Sequence, residues 1–165
     1  MTSGAVITIL IMAILIFISF YMISIYNRII FFQNKAFKKF EPIDISIKKY
    51  IDISDKLIEI TKEDNLKEEL SILSGKLSRV RNNNKKILVL KDADYTFNRV
   101  FDIYKNNKKI KDIKEEYNIY YNKILYAKDI YNKKVKEYNN LLIIFPYNII
   151  CKLKHIKNLN TIDGD

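Results

Sequence analysis

Glycine, proline, cysteine and histidine are all scarce in this chain of 165 residues, with three, two, one and one of each. So little turn punctuation leaves long uninterrupted stretches that read as helix, and strand signals are hard to find. Three glycines are too few for most phosphate-cradling loops. No Gly-rich phosphate loop, HExxH helix, CxxC pair or GxSxG elbow occurs. The single Cys151 excludes an intramolecular disulfide and a multi-thiolate zinc site, and the single His155 excludes any cluster of imidazole ligands.

Charge is absent from residues 1 to 27, so the whole formal excess of +10 lies on residues 28 to 165. A basic body points toward polyanions such as nucleic acid or an anionic membrane surface. The same chain is rich in Ile, Lys, Asn and Tyr, the residues of AT-rich codons, which weakens lysine density as a sign of a polyanion partner. At this length one domain with an anchor is the expected plan.

The anchor is the run AVITILIMAILIFISFYMISIY, residues 5 to 26, which has 22 residues without a charge. As a helix it covers roughly 33 Å, the thickness of the hydrocarbon core. Tyr21 and Tyr26 stand near its far end, where amphipathic rings favour the headgroup layer. No basic segment precedes the run and no small-x-small site follows it, so a retained span is expected rather than a cleaved signal peptide. Arg28, Lys35, Lys38 and Lys39 crowd the second flank, which by the positive-inside rule stays in the cytoplasm and leaves the amino terminus outside. The expected layout is an anchor over 1–27, a helical body over 28–150 and a basic tail over 151–165.

Behind the anchor, Arg28 to Phe40 extends the same helix until Glu41-Pro42 interrupts it. A second helix is predicted from Ile43 to Thr61, with Ile43, Ile47, Ile51 and Ile58 as its apolar stripe. A third helical region runs from Asn65 to Tyr104 with Leu66, Leu70, Leu73, Leu77 and Val80 along one face. The segment RNNNKK, 81 to 86, interrupts it, because consecutive asparagines are poor helix formers. Those residues suit a solvated turn, with phosphate binding as the sharper alternative. Lys105 to Lys108 forms the next turn, and a last long helix reaches Ile144. There Tyr117, Ile124, Tyr131 and Tyr138 recur every seven residues, with Tyr120, Ala127 and Leu141 in d-like places and Lys134 breaking that series. Asn118, Asn132 and Asn139 flank the seam. Buried seam packing is the simpler reading of these tyrosines; a row of stacking rings for single-stranded nucleic acid is the other.

Several separated stretches together resemble the LemA family of membrane-anchored helical proteins. They are IYN at 25 to 27, Asn34 and Ala36, IDISIKKYIDISDKLIE at 43 to 59, and YNKKVKEYN with FPYNII at 131 to 150. The family pattern of Tyr-Asn, then Glu-Tyr-Asn, then Pro-x-Asn-x-Ile is similar to Tyr131-Asn132, Glu137-Tyr138-Asn139 and Pro146-Tyr147-Asn148-Ile149. The chain departs from it at Pro42 and at Asp55-Lys56-Leu57, where the family has Pro-Asn-Leu. The resemblance implies a bacterial single-pass protein with one transmembrane helix and an elongated antiparallel bundle, and no established reaction.

Chemistry-bearing residues are few. Asp92-Ala93-Asp94 alternates acids that suit a hard cation, but the glycine and terminal glutamate of a calcium loop are missing. Cys151 and His155 stand at i and i+4 without a third orienting group. No catalytic, cofactor or metal residue is assigned. After Pro146, Ile149, Ile150, Leu153 and Ile156 share one side and Lys152, Lys154 and Lys157 lie elsewhere, fitting either a bundle cap or an anionic leaflet. The expected fold is all-α. The expected function is a membrane-anchored, non-enzymatic scaffold or adaptor whose cytoplasmic bundle binds a protein partner. The alternative is a basic membrane-tethered module for nucleic acid or anionic lipid.

Overall fold

The computed structural model describes residues 3 to 162, and these form six α-helices and no strand: α1 Ser3–Lys38, α2 Glu41–Ile60, α3 Asp64–Arg79, α4 Asn83–Ile103, α5 Lys108–Ile143 and α6 Tyr147–Leu153. Residues 1, 2 and 163 to 165, at the ends of the expected anchor and basic tail, lie outside the described residues. The chain divides into two compact units. One joins Met1–Lys38 with Lys133–Asn160, the other Lys39–Asn132 with Thr161–Asp165.

In the first unit α1 runs unbroken through the apolar stretch and past it, as the charge pattern predicts. Its front part is long and apolar enough to cross a membrane, and none of that window is buried, which distinguishes it from the core helix of a soluble protein. Farther along, Ile25, Ile29 and Ala36 are buried. Ile25 and Ile29 form one apolar cluster with Tyr138 and Leu142 of α5 and Ile150 and Cys151 of α6. The α5–α6 turn carries a cis Phe145-Pro146 bond.

In the second unit Pro42 sits in the first turn of α2, where its missing N–H has no helical partner to lose. The buried face of α2 is Ile43, Ile47, Tyr50, Ile53 and Leu57. The expected stripe is corrected here: Ile51 and Ile58 are only half-buried, because Tyr50 turns the face by about one residue. Buried Ser46 and Ser54 escape a polar penalty by donating to Pro42 O at 2.9 Å and Leu70 O at 3.0 Å. Leu66, Leu70, Leu73 and Leu77 are the core face of α3, as their spacing predicts.

The asparagine run breaks the chain between α3 and α4. Asn82 takes extended backbone, and its Oδ1 accepts the N–H groups of Asn84 at 3.0 Å and Lys85 at 3.2 Å, an N-cap for α4. Asn107 does the same work for α5, accepting from Lys109 N at 2.9 Å. Along α5, Tyr117, Ile124, Tyr131 and Tyr138 are all buried, as their seven-residue recurrence predicts. The d-like series is corrected. Ala127 is buried as expected, but Tyr120 and Leu141 are only half-buried, and Val135 and Leu142 are the buried positions near the broken end of that series.

Candidate functional site

Among the described residues no three of His, Cys, Asp and Glu gather in a way that could hold a metal ion. Asp92 is exposed, while Asp94 is half-buried on the face of α4 that carries Leu90 and Phe97. The two acids therefore do not converge. Asp94 Oδ1 accepts the hydroxyls of Tyr50 from α2 at 2.8 Å and Tyr117 from α5 at 3.1 Å. Phe97 completes the setting, with ring centres 5.5 Å from Tyr50 and 5.9 Å from Tyr117. Burial pushes the Asp94 carboxyl up against the lowering effect of its two phenol donors. Burial and then the Asp94 charge push both tyrosines above their ordinary range, so both remain donors. This network ties three helices through one oxygen. Sequence reasoning missed Tyr50 and Tyr117 as its partners, although an acid at the i+4 position from Leu90 and i−3 from Phe97 was a visible signal.

Cys151 is buried and its thiol is pushed up by desolvation, so little thiolate forms at neutral pH. His155 is exposed and lies beyond the end of α6 with φ of 51°. The helix stops at Leu153, which removes the one-turn stacking that an i, i+4 pair requires, and no hydrogen bond joins the two. Both line a groove of about 640 Å³ with Leu142 and Asn148. Tyr131 and Tyr138 are in the interior, so their rings are covered rather than presented for stacking on bases.

An open surface of the second unit lies between α3 and α4. It is a groove of about 790 Å³ lined by Ile72, Gly75, Val80, Leu88 and Val89, with Lys76, Arg79 and Lys85 around it. Ile72 is 53% exposed and Leu88 60%, unusual for large apolar side chains that sit together. Gly75 contributes by absence, since nothing lies within 4 Å of where its Cβ would stand. No carboxylate lines this groove, so its field is positive over an apolar floor. Of the carboxylates nearby, Glu69 takes Arg99 at 2.9 Å, while exposed Asp92 stands beside Ile72 and Lys76 at the margin. Neither the apolar exposure nor the groove is legible in the leucine spacing, because Ile72 and Leu88 fall outside the stripes that pack.

Compared with known proteins, the chain matches no family model and no curated sequence, so the likeness to the LemA family rests on the residues quoted above.

Proposed function

We propose that this protein is a non-enzymatic, single-pass membrane adaptor: residues 5 to 26 cross the membrane with the amino terminus outside, and the helices behind form an elongated antiparallel bundle in the cytoplasm that binds a protein partner. The observation that carries this reading is α1 itself. It is one 36-residue helix whose front is bare and apolar and whose rear enters a packed core at Ile25 and Ile29. An anchor that continues into the packed core of the first unit holds that unit at the membrane without a flexible linker. Arg28, Lys35, Lys38 and Lys39 beyond the span support the inward orientation. The LemA-like stretches support the same architecture in a divergent member of that family. The α3–α4 groove supports the adaptor role, its apolar floor and basic surround suiting an acidic amphipathic segment of another protein.

The test uses the full chain in cells. It stays in membranes through alkaline carbonate washing, and loss to the wash overturns the span. A cysteine at exposed Asn106, in a Cys151→Ser background, reports orientation. A membrane-impermeant maleimide leaves it unlabelled in sealed protoplasts and labels it once they are opened; labelling of sealed protoplasts reverses the orientation. A photo-crosslinker at Leu88 yields a defined protein adduct that Lys76→Glu with Arg79→Glu abolishes, while the same crosslinker at Glu68 does not. Equal adducts at both positions remove the groove from the proposal.

A further inference from the structure

The first unit carries a second bare apolar surface, at the turn from α5 into α6. Ile143 is 71% exposed, Phe145 75% and Leu153 64%, with Ile144 beside them at 54%. Three large apolar side chains in water at this turn, and Leu153 at the end of α6, cost free energy unless something covers them.

Their position along α1 indicates what does. The cluster that joins α1 to α5 and α6 centres on Ile25 and Ile29, with Met22 and Phe32 packed at its margin. The charge-free run ends at Tyr26. The guanidinium of Arg28, two residues later, lies 5.9 Å from the ring of Tyr147 at the start of α6. The end of α5 and α6 as far as Cys151 are therefore held against the last turn of the apolar run and the first turn after it. Leu142 belongs to the cluster with Ile25 and Ile29, and Tyr147 packs at its margin, so the intervening Ile143, Ile144 and Phe145 are held at that same level of α1. From Ile25 to Ile29 a helix rises only about 6 Å, within the depth of a headgroup layer. Lys152 and Lys154 are exposed next to Leu153.

We propose that Ile143, Ile144, Phe145 and Leu153 form a wedge that enters the interfacial layer of the leaflet where α1 emerges, with Lys152 and Lys154 on the phosphates of anionic lipids. Apolar residues dip into the acyl boundary while flanking lysines stay in the headgroups, as in interfacial helices generally. The wedge rests on the reading of residues 5 to 26 as a span, and gives the unit a second membrane contact that stops α1 from swivelling freely in the bilayer.

The chain contains no tryptophan, so one substitution introduces a lone fluorophore. Full-length Phe145→Trp, Leu153→Trp and Phe17→Trp are reconstituted in vesicles of phosphatidylcholine and phosphatidylglycerol whose acyl chains carry bromine at a shallow or a deep position. Phe145→Trp and Leu153→Trp emit to the blue and are quenched most by shallow bromine; Phe17→Trp is quenched most by deep bromine. If Phe17→Trp is quenched while either of the other two is not, the wedge is overturned and the span stands. If Phe17→Trp is not quenched, the span fails and the wedge with it. Omitting phosphatidylglycerol weakens shallow quenching, and Lys152→Gln with Lys154→Gln removes that dependence. Quenching indifferent to lipid charge overturns the role given to the lysines.

Discussion

The side chain of Asn139 closes a two-way hydrogen bond on the main chain of Leu159: its Nδ2 donates to Leu159 O at 2.8 Å, and Leu159 N donates to its Oδ1 at 2.9 Å. One heptad earlier, within the other unit, Asn132 holds Ile162 in the same manner at 3.0 and 2.8 Å. Tyr138 adds its hydroxyl to Lys157 O at 3.3 Å. A side-chain amide carries a donor and an acceptor side by side, so it pairs with both the carbonyl and the N–H of one residue as a neighbouring strand would. The repeated Tyr-Asn therefore has a division of labour. Tyrosine fills the core, and asparagine fastens the chain that follows α6.

Asn139→Asp keeps the acceptor and loses the donor, and Asn139→Ala loses both. Asn139→Ala is expected to release the Leu159 amide to hydrogen exchange and to cost about 1–3 kcal/mol for the unmade bonds, whereas Asn139→Asp keeps that amide protected and loses only the bond to Leu159 O. Unchanged protection at Leu159 in Asn139→Ala would show that the tail is held by packing of Ile156 and Leu159 alone.

The Asp94 network makes a prediction in pH. Its carboxyl is raised by burial above the unfolded value of about 3.9. A raised acid holds its proton more tightly when folded, so its stability contribution is complete below the unfolded value and is lost as pH climbs through the raised folded value. Thermal melts of the full chain in detergent should show that decline in the parent and not in Asp94→Asn, whose Oδ1 still accepts from both tyrosines. Asp94→Leu strands the phenol of buried Tyr50 and is expected to be less stable than Asp94→Asn by about 1–3 kcal/mol. Identical pH profiles for the parent and Asp94→Asn would sink this account.

Asn82→Ala removes the cap of α4 and is expected to cost about 1 kcal/mol. Asn84→Ala, one turn residue away and exposed, should cost far less. Equal losses would mean that the asparagine run acts through propensity rather than through one side chain.

Gly75 lies within α3 with open space at its Cβ position. Gly75→Ala is expected to raise stability by about 0.5–1 kcal/mol through helix propensity, read as a higher melting temperature. Gly75→Phe should fold equally well yet fill the groove and abolish the adduct formed from Leu88. A Gly75→Phe protein that still crosslinks fully would place the partner elsewhere.

Local pattern alone carried much of this molecule. The charge-free run, the leucine stripe of α3, the breaks at Pro42 and at the asparagines, and the buried heptad of Tyr117, Ile124, Tyr131 and Tyr138 were all legible, because each depends on contacts within a few turns of one helix. Tertiary structure decided what spacing cannot encode. Whether α5 buries Val135 or Lys134 depends on helix twist against its neighbours. That Asp94 faces two tyrosines, and not Asp92 with a cation, depends on bringing together residues 44 and 23 positions apart. Asn132 and Asn139 were seen in the sequence only as flanks of a seam, since their partners are main-chain groups, and a backbone N–H or C=O has no letter in the sequence.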